Sequence, residues 1–196
     1  GGIIISNYCV LRGYYTGLVC AIGLATSGDA VLNLNYKTSV QNWQSFLTFA
    51  AKANIVIPQQ HLLSIKGDSK LPINPSLVEK SQTIPEFNQH FTCRFLGYNN
   101  VIDYYRDLSF ASGNRLSNLH TPLLIVHADD DPVISVDTLL PACQAIKEDV
   151  TKNLVLLITR GGGHCGHPIG WNPFKNGWKY LSNVSRDFCT DVWDYT

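Results

Sequence analysis

Two short segments of the sequence contain residue types used in acid–base catalysis. The first, Ala128–Pro132, has the sequence ADDDP, and the second, Gly161–His164, has the sequence GGGH. A carboxylate can orient an imidazole ring and stabilise its protonated form, and the ring can remove a proton from a hydroxyl group. An acid of the first segment and the histidine of the second could therefore assist a nucleophilic hydroxyl.

Each segment follows an apolar run typical of a buried strand, the first directly and the second after Arg160. The runs are PLLIVH at residues 122–127 and LVLLIT at residues 154–159. Between them, apolar residues recur at helical spacing: Val136, Leu139, Leu140, Cys143 and Ile146. This order predicts a βαβ unit with parallel strands. Because catalytic groups in open α/β sheets gather at the carboxyl ends of strands, the acid and the histidine are expected to be neighbours.

The first residues predict a helix that begins almost at once. Apolar residues recur at helical spacing, and Gly13 follows them as a stop signal: Ile3, Ile4, Tyr8 and Leu11. In α/β-hydrolases the serine precedes the acid and the base and lies in GxSxG, on a turn from strand to helix. Gly1 and Gly2 fit the end of such a turn, with Gly1 as its last glycine and the serine two positions earlier. A cloning remnant or a flexible start would give the same two residues.

The remaining patterns predict a chain organised in three parts. Residues 1–30 are expected to hold the first helix and a core strand at Leu18–Ala25, buried on both faces. Residues 31–118 have a mixed pattern, with a helix near Trp43, and are interpreted as an insertion. Residues 119–196 complete the core and end in a helix whose apolar face contains Trp178, Leu181, Val184, Phe188 and Val192. The fold class is therefore α/β, a mostly parallel sheet flanked by helices.

The composition excludes several classes of function. Fifteen basic residues balance fifteen acidic ones, which argues against a nucleic-acid partner. No apolar run reaches the roughly 18 residues of a membrane span.

The six cysteines form no CxxC pair and are interpreted as free, buried thiols. The chain contains no Met and starts with Gly, so the natural start is expected to lie upstream.

Structural alternatives exist for each candidate residue. Asp131 could cap the helix that begins near Ser135, and Asp129 and Asp130 are expected to be solvated turn residues. A zinc cluster is a second alternative, but zinc needs about four ligands, and only His164, Cys165 and His167 lie close together in the sequence. The glycine run could cradle a phosphate, but no helix with the usual lysine and serine is predicted after it. No metal and no organic cofactor is predicted.

Four stretches of the chain resemble AB hydrolase family four, which includes YheT-like hydrolases and eukaryotic α/β-hydrolase-domain lipases. The stretches are the Gly-Gly start before a helix with Asn7-Tyr8, Thr83–Asn88, Gly97 to Tyr105 with its DYY sequence, and the HAxDDP and GGHxG motifs at His127–Pro132 and Gly162–Gly166. Two positions depart from the family pattern. His167 stands where an aromatic residue is usual, and Gly28-Asp29 replaces a Pro-Trp turn.

The resemblance implies a C-terminal portion of an α/β-hydrolase fold, with Asp131 as the triad acid, His164 as the base and Gly1-Gly2 as the remnant of the nucleophile turn. It implies ester, acylglycerol or phospholipid substrates, a cap formed from residues 31–118, and a cytoplasmic or membrane-associated protein. On this view the present chain alone lacks the nucleophile and should be inactive.

Two rival interpretations stay open. In one, a degenerate hydrolase fold serves as a binding or structural subunit of a larger assembly. In the other, this is a processed chain that pairs with an N-terminal chain carrying the serine. The residue two positions before Gly1 discriminates between an enzyme and an inactive subunit, because only a serine there completes the triad.

Overall fold

A computed structural model describes residues 1–58, 70–169 and 172–195 of the chain. By its contacts the described chain divides into two compact units. The first unit contains Gly1–Asn33 and the chain from Leu108 onward, and the second contains Leu34–Asp107. The predicted insertion at residues 31–118 extends past the second unit at both ends, and residues 59–69 of it lie outside the described residues. Its role as a cap stays a prediction.

The first unit is built around a parallel sheet, which confirms the predicted α/β fold. Leu24 pairs with Val126 and Ala128 pairs with Thr159, so the carboxyl ends of the strands lie at one edge of the sheet. Every residue of the central strand is buried. In the described residues the strands follow the order β1-β2-β3 and span Ala21–Leu24, Leu123–Ala128 and Leu154–Thr159.

Helices account for most of the other regular structure. In the described residues the α-helices are α1 (Gly2–Arg12), α2 (Lys37–Asn42), α3 (Gln44–Ala51), α4 (Pro75–Lys80), α5 (Ile84–Phe87), α6 (Cys93–Leu96), α7 (Val101–Leu108), α8 (Leu140–Lys147), α9 (Pro173–Asn176) and α10 (Tyr180–Asp194). Short π-helical segments follow α3 and α5, at Lys52–Val56 and Asn88–Thr92. Single 3₁₀ turns occur at Gly13–Tyr15, Ala30–Asn33, Arg115–Asn118 and Val136–Leu139.

Helix α1 begins where the sequence predicts and packs against β1. A Cβ added at Gly2 would lie 2.9 Å from Cβ of Thr26 and 3.0 Å from the carbonyl oxygen of Leu24. Both distances are shorter than normal van der Waals contact, so a larger residue at this position would have to displace backbone. The first turn of α1 therefore lies against the carboxyl end of β1.

Gly13 ends α1 in a conformation that a side chain would strain. Its φ is +55°, and an added Cβ would lie 2.7 Å from Oδ1 of Asn118, whose amide donates to the Val10 carbonyl oxygen at 2.6 Å. We expect Gly13→Ala to lower the free energy of unfolding by about 2–4 kcal/mol, because backbone strain adds to overpacking. Gly17 has a φ of +68°, and a Cβ added there would have no atom within 4 Å other than those of its chain neighbours. Gly17→Ala should therefore cost only the strain, about 1–2 kcal/mol.

Denaturant unfolding of the intact protein measures both variants. Equal losses of stability in the two variants would contradict the crowding inferred at Gly13.

The strand predicted at Leu18–Ala25 is shorter than expected. The ladder with β2 starts where the Ala21 N–H donates to the Pro122 carbonyl oxygen at 2.8 Å. The side chains of Leu18 and Val19 precede this point and are 40% and 46% exposed. Within β1 buried and half-buried residues alternate, so the prediction of burial on both faces is wrong.

The helical segment between β2 and β3 buries only part of the predicted apolar stripe. Leu139 and Ala142 are buried, whereas Leu140 and Ile146 of the predicted apolar stripe are 59% and 38% exposed. The segment starts as the 3₁₀ turn at Val136–Leu139. Since a 3₁₀ helix has three residues per turn instead of 3.6, it changes the phase of the α-helix that follows.

The last helix, α10, has the predicted apolar face, and its four apolar residues are all half-buried: Leu181, Val184, Phe188 and Val192. Trp178 precedes the helix and is 53% exposed. The cysteines are present as thiols, but the expected burial applies only to Cys9 and Cys93. The sulfur of Cys189 on α10 lies 3.6 Å from that of Cys20.

Two segments that carry the family resemblance meet within the second unit. The Asn88 side-chain amide donates to the Tyr105 hydroxyl at 3.0 Å. Thr83 and Glu86 form a capping box at the start of α5, and the neighbouring Phe87 is buried. These residues therefore stabilise the second unit through helix capping and packing.

Candidate active site

The turn that follows β2 holds Asp131 in a fixed position. Asp131 is 1% exposed, and its Oδ1 accepts hydrogen bonds from the backbone N–H groups of Val133 and Ile134 at 2.8 and 3.0 Å. The helix-capping role considered for Asp131 belongs to Ser135, whose hydroxyl accepts from the Asp137 N–H at 3.2 Å. Asp131 is therefore held by its own turn, with Oδ2 directed to another partner.

The loop that follows β3 presents His164. The φ angles of Gly161, Gly162 and Gly163 are +84°, +142° and +57°, a conformation that favours glycine at each position. The glycine run thus forms the sharp bend that the sequence predicts. The His164 side chain at its end is 40% exposed.

The structure brings Asp131 and His164 together. Nδ1 of His164 lies 2.9 Å from Oδ2 of Asp131, the distance of a charge-assisted hydrogen bond. This hydrogen bond raises the pKa of His164 above its ordinary value, against the opposing effect of partial burial. With Nδ1 donating to the carboxylate, Nε2 is the ring nitrogen that can accept a proton.

The hydrogen bonds to Asp131 keep its side chain ionised. Burial alone would raise its pKa, but the bonds from His164, Ile134 and Val133 outweigh burial, so the pKa lies below its ordinary value. A buried carboxylate beside the ring stabilises the imidazolium that forms when the base takes a proton. The pair can therefore withdraw a proton from a hydroxyl placed near Nε2.

His127 supports the Asp131 turn, although the sequence did not single it out as a site residue. Its ring is fully buried at the end of β2, and Nε2 lies 3.1 Å from the Ile134 carbonyl oxygen. Burial lowers the pKa of His127, so the ring is neutral at pH 7 and donates from Nε2 to that carbonyl. In the sequence, the feature that could have identified His127 as a site residue is its position at the end of an otherwise aliphatic strand.

Asp129 and Asp130, expected to be solvated turn residues, are exposed but contact the glycine loop. Oδ1 of Asp129 accepts from the Gly161 N–H at 2.9 Å, and Oδ1 of Asp130 accepts from the Gly163 N–H at 2.8 Å. Both are therefore exposed turn residues as the sequence predicts, and in addition both side chains accept hydrogen bonds from backbone N–H groups. No sequence pattern pairs a given acid with a given glycine, because the pairing depends on the register between β2 and β3.

His167, at the position where an aromatic residue is usual, packs as an aromatic side chain behind the glycine loop. It is buried, its Nε2 lies 3.1 Å from the Thr159 hydroxyl, and its ring stacks on Tyr180 with centroids 5.7 Å apart. A Cβ added at Gly162 would lie 2.6 Å from the ring. Burial lowers the pKa of His167, so the ring is neutral at pH 7.

The start of α1 lies at the same edge of the sheet. Gly2 packs against the carboxyl end of β1, as described above. Burial and the charge of Asp131 raise the pKa of the Cys165 thiol.

The structure gives no support to the metal alternative. Within residues 1–58, 70–169 and 172–195, the His, Cys, Asp and Glu side chains form no group of three or more that could hold a metal ion. The zinc set considered for His164, Cys165 and His167 does not assemble in that part of the chain.

None of the described helices has the length and apolar character needed to cross a bilayer.

Curated proteins with similar sequences are named as lipases and esterases. The chain is 28% identical over 185 residues to a monoacylglycerol lipase of Saccharomyces cerevisiae, covering 93% of the chain and 38% of that protein. It is 32% identical over 136 residues to YheT of Escherichia coli, whose name assigns it to the esterases, covering 66% and 36%. It is 27% identical over 191 residues to phospholipase ABHD3 of Homo sapiens, covering 96% and 43%.

The chain thus spans about two fifths of the length of these relatives. No family model matches it.

Proposed function

We propose, from the similarity of the chain to α/β-hydrolase-domain esterases and lipases, that the intact protein is a serine hydrolase that cleaves carboxylic esters of lipids. The observation that carries the proposal is the 2.9 Å contact between His164 and the buried Asp131 at the carboxyl edge of the sheet. A base oriented in this way is what a hydroxyl nucleophile requires for activation. The lipid-ester class is taken from the names of the relatives.

The nucleophile in this proposal is a serine two positions before Gly1. Support comes from the start of α1, which lies at the carboxyl end of β1, the edge of the sheet that also holds the ends of β2 and β3. A turn from strand to helix directly before α1 would present a hydroxyl at this edge. Gly2 suits such a turn, because the end of β1 leaves no room for a Cβ there.

The proposed reaction is a double displacement. The serine oxygen bonds to the ester carbonyl carbon while Nε2 of His164 takes the hydroxyl proton, and Asp131 stabilises the imidazolium. The bond from the carbonyl carbon to the alcohol oxygen then breaks, and His164 returns the proton to the departing alcohol. Water attacks the acyl-serine, again giving a proton to His164, and the acid leaves as the serine oxygen is reprotonated. No metal or organic cofactor takes part in this cycle.

Labelling of the intact protein with a fluorophosphonate probe tests the proposal. We expect one labelled serine, two residues before Gly1 by peptide mass mapping, because the activated hydroxyl attacks phosphorus as it attacks an ester. Labelling should disappear in His164→Ala. A folded wild-type protein that takes up no probe would instead favour the binding or structural role.

A further inference from the structure

The three residues that precede His164 in its loop are glycines and have no side chains to hold the loop in place. Gly161–Gly163 all have positive φ angles, and glycine loses more conformational freedom on ordering than any other residue. A misplacement of about 1 Å in a catalytic group can cost about 100-fold in rate. The position of the His164 ring therefore depends on hydrogen bonds to the glycine backbone.

Two of those hydrogen bonds come from the turn after β2. Asp129 binds the N–H of Gly161 at 2.9 Å and Asp130 binds the N–H of Gly163 at 2.8 Å, each through one carboxylate oxygen. The next residue of the turn is Asp131 and the next residue of the loop is His164, which form the acid–base pair. Three successive acids thus bind three groups of one loop, in the same order along both segments.

The same alignment begins in the sheet. The backbone N–H of Asp129 donates to the Thr159 carbonyl oxygen at 3.0 Å, which continues the β2–β3 ladder beyond the last paired residues. The side-chain contacts of Asp129 and Asp130 then extend it along the loop. The register between β2 and β3 thus determines where the loop places the His164 ring.

We propose that Asp129 and Asp130 are positioning residues, which hold the glycine loop and thereby keep the His164 ring on Asp131. The catalytic consequence rests on the proposed function, whereas the placement of the ring does not. A carboxylate acts only as an acceptor, and a charge-assisted hydrogen bond is about twice as strong as a neutral one. Asn keeps an acceptor oxygen without the charge and Ala removes both, so the two substitutions separate hydrogen bonding from charge.

A histidine NMR titration of the intact protein tests the placement directly. We expect Asp130→Ala to lower the pKa of His164 toward its ordinary value, because the ring loses part of its contact with Asp131. Asp130→Asn should keep most of the wild-type pKa. Asp191→Ala, which removes an exposed acid of α10, is the control and should leave the pKa unchanged. An unchanged pKa of His164 in Asp130→Ala would overturn the proposal. Equal lowering of this pKa by the Ala and Asn substitutions would also overturn it, because the effect would then come from the charge of Asp130 and not from its hydrogen bond.

Steady-state kinetics test the consequence for catalysis. We expect Asp129→Ala and Asp130→Ala each to lower kcat by about 10- to 100-fold with KM unchanged, because the base rather than substrate binding is disturbed. The corresponding Asn variants should recover most of kcat. A double Ala variant that is folded by circular dichroism and has wild-type kcat would overturn the proposal. An inactive wild type would count against the proposed hydrolase function alone, since the NMR titration needs no turnover.

Discussion

The His164→Ala variant of the intact protein is expected to lose about 10⁶-fold in kcat for ester hydrolysis, the loss typical of a triad histidine. Without the ring, the protein loses the base that takes the hydroxyl proton and returns it to the leaving alcohol. KM should change little, because the ring acts on the nucleophile and not on the bound acyl chain. Initial-rate assays with a soluble short-chain ester measure both kcat and KM.

His120→Ala provides the matched control. His120 precedes β2, at the opposite edge of the same sheet, where its ring stacks on Tyr14 with centroids 3.4 Å apart. We expect this variant to keep wild-type kcat, because the substitution removes an imidazole far from the proposed nucleophile. If His164→Ala retained activity, or if both variants lost it equally, His164 would not be the base.

The second large effect is expected for Asp131→Asn, about 10⁴-fold in kcat. An amide cannot stabilise the imidazolium, and its N–H₂ group can donate to Nδ1 and so hold the ring in the tautomer with a proton on Nε2. That tautomer cannot accept the hydroxyl proton. The loss should be smaller than in His164→Ala, because part of the ring population can still act as a base.

The pH dependence gives Asp131→Asn a second readout. Asp131 raises the pKa of His164, and the base must be neutral to act. In the wild type, kcat/KM should therefore rise with pH through a pKa above the ordinary histidine value of about 6.5. In Asp131→Asn the hydrogen bond that raises this pKa is lost, so the rising limb should move to lower pH. A limb that stays in place would contradict the role of Asp131.

Stability measurements separate this effect from unfolding. Asn keeps an oxygen that can accept from the Val133 and Ile134 N–H groups, so Asp131→Asn should remain folded. Asp131→Ala removes that acceptor, and each buried N–H left unpaired costs about 1–3 kcal/mol. Asp137→Asn, an exposed acid close by in the chain, should leave both stability and kcat near wild type.

Much of the fold follows from local sequence pattern. The runs PLLIVH and LVLLIT become β2 and β3, and the spacing from Ile3 to Leu11 becomes α1, with Gly13 at its end. These elements were predictable because strand and helix impose periods of two and 3.6 residues on apolar side chains. The strand-end rule placed an acid beside His164 because neighbouring parallel strands end at one edge.

Other features of the protein were decided only by tertiary contacts. Whether Leu18 and Val19 join β1 depends on where β2 offers partners, and which side of α8 is buried depends on the 3₁₀ turn before it. The roles of Asp129 and Asp130 depend on the register between two strands separated by a helix. The sequence by itself thus determined the elements and the types of group at the site, because these depend on neighbours along the chain. The tertiary structure decided which carboxylate binds which group, because hydrogen bonds need distances that only the assembled sheet defines.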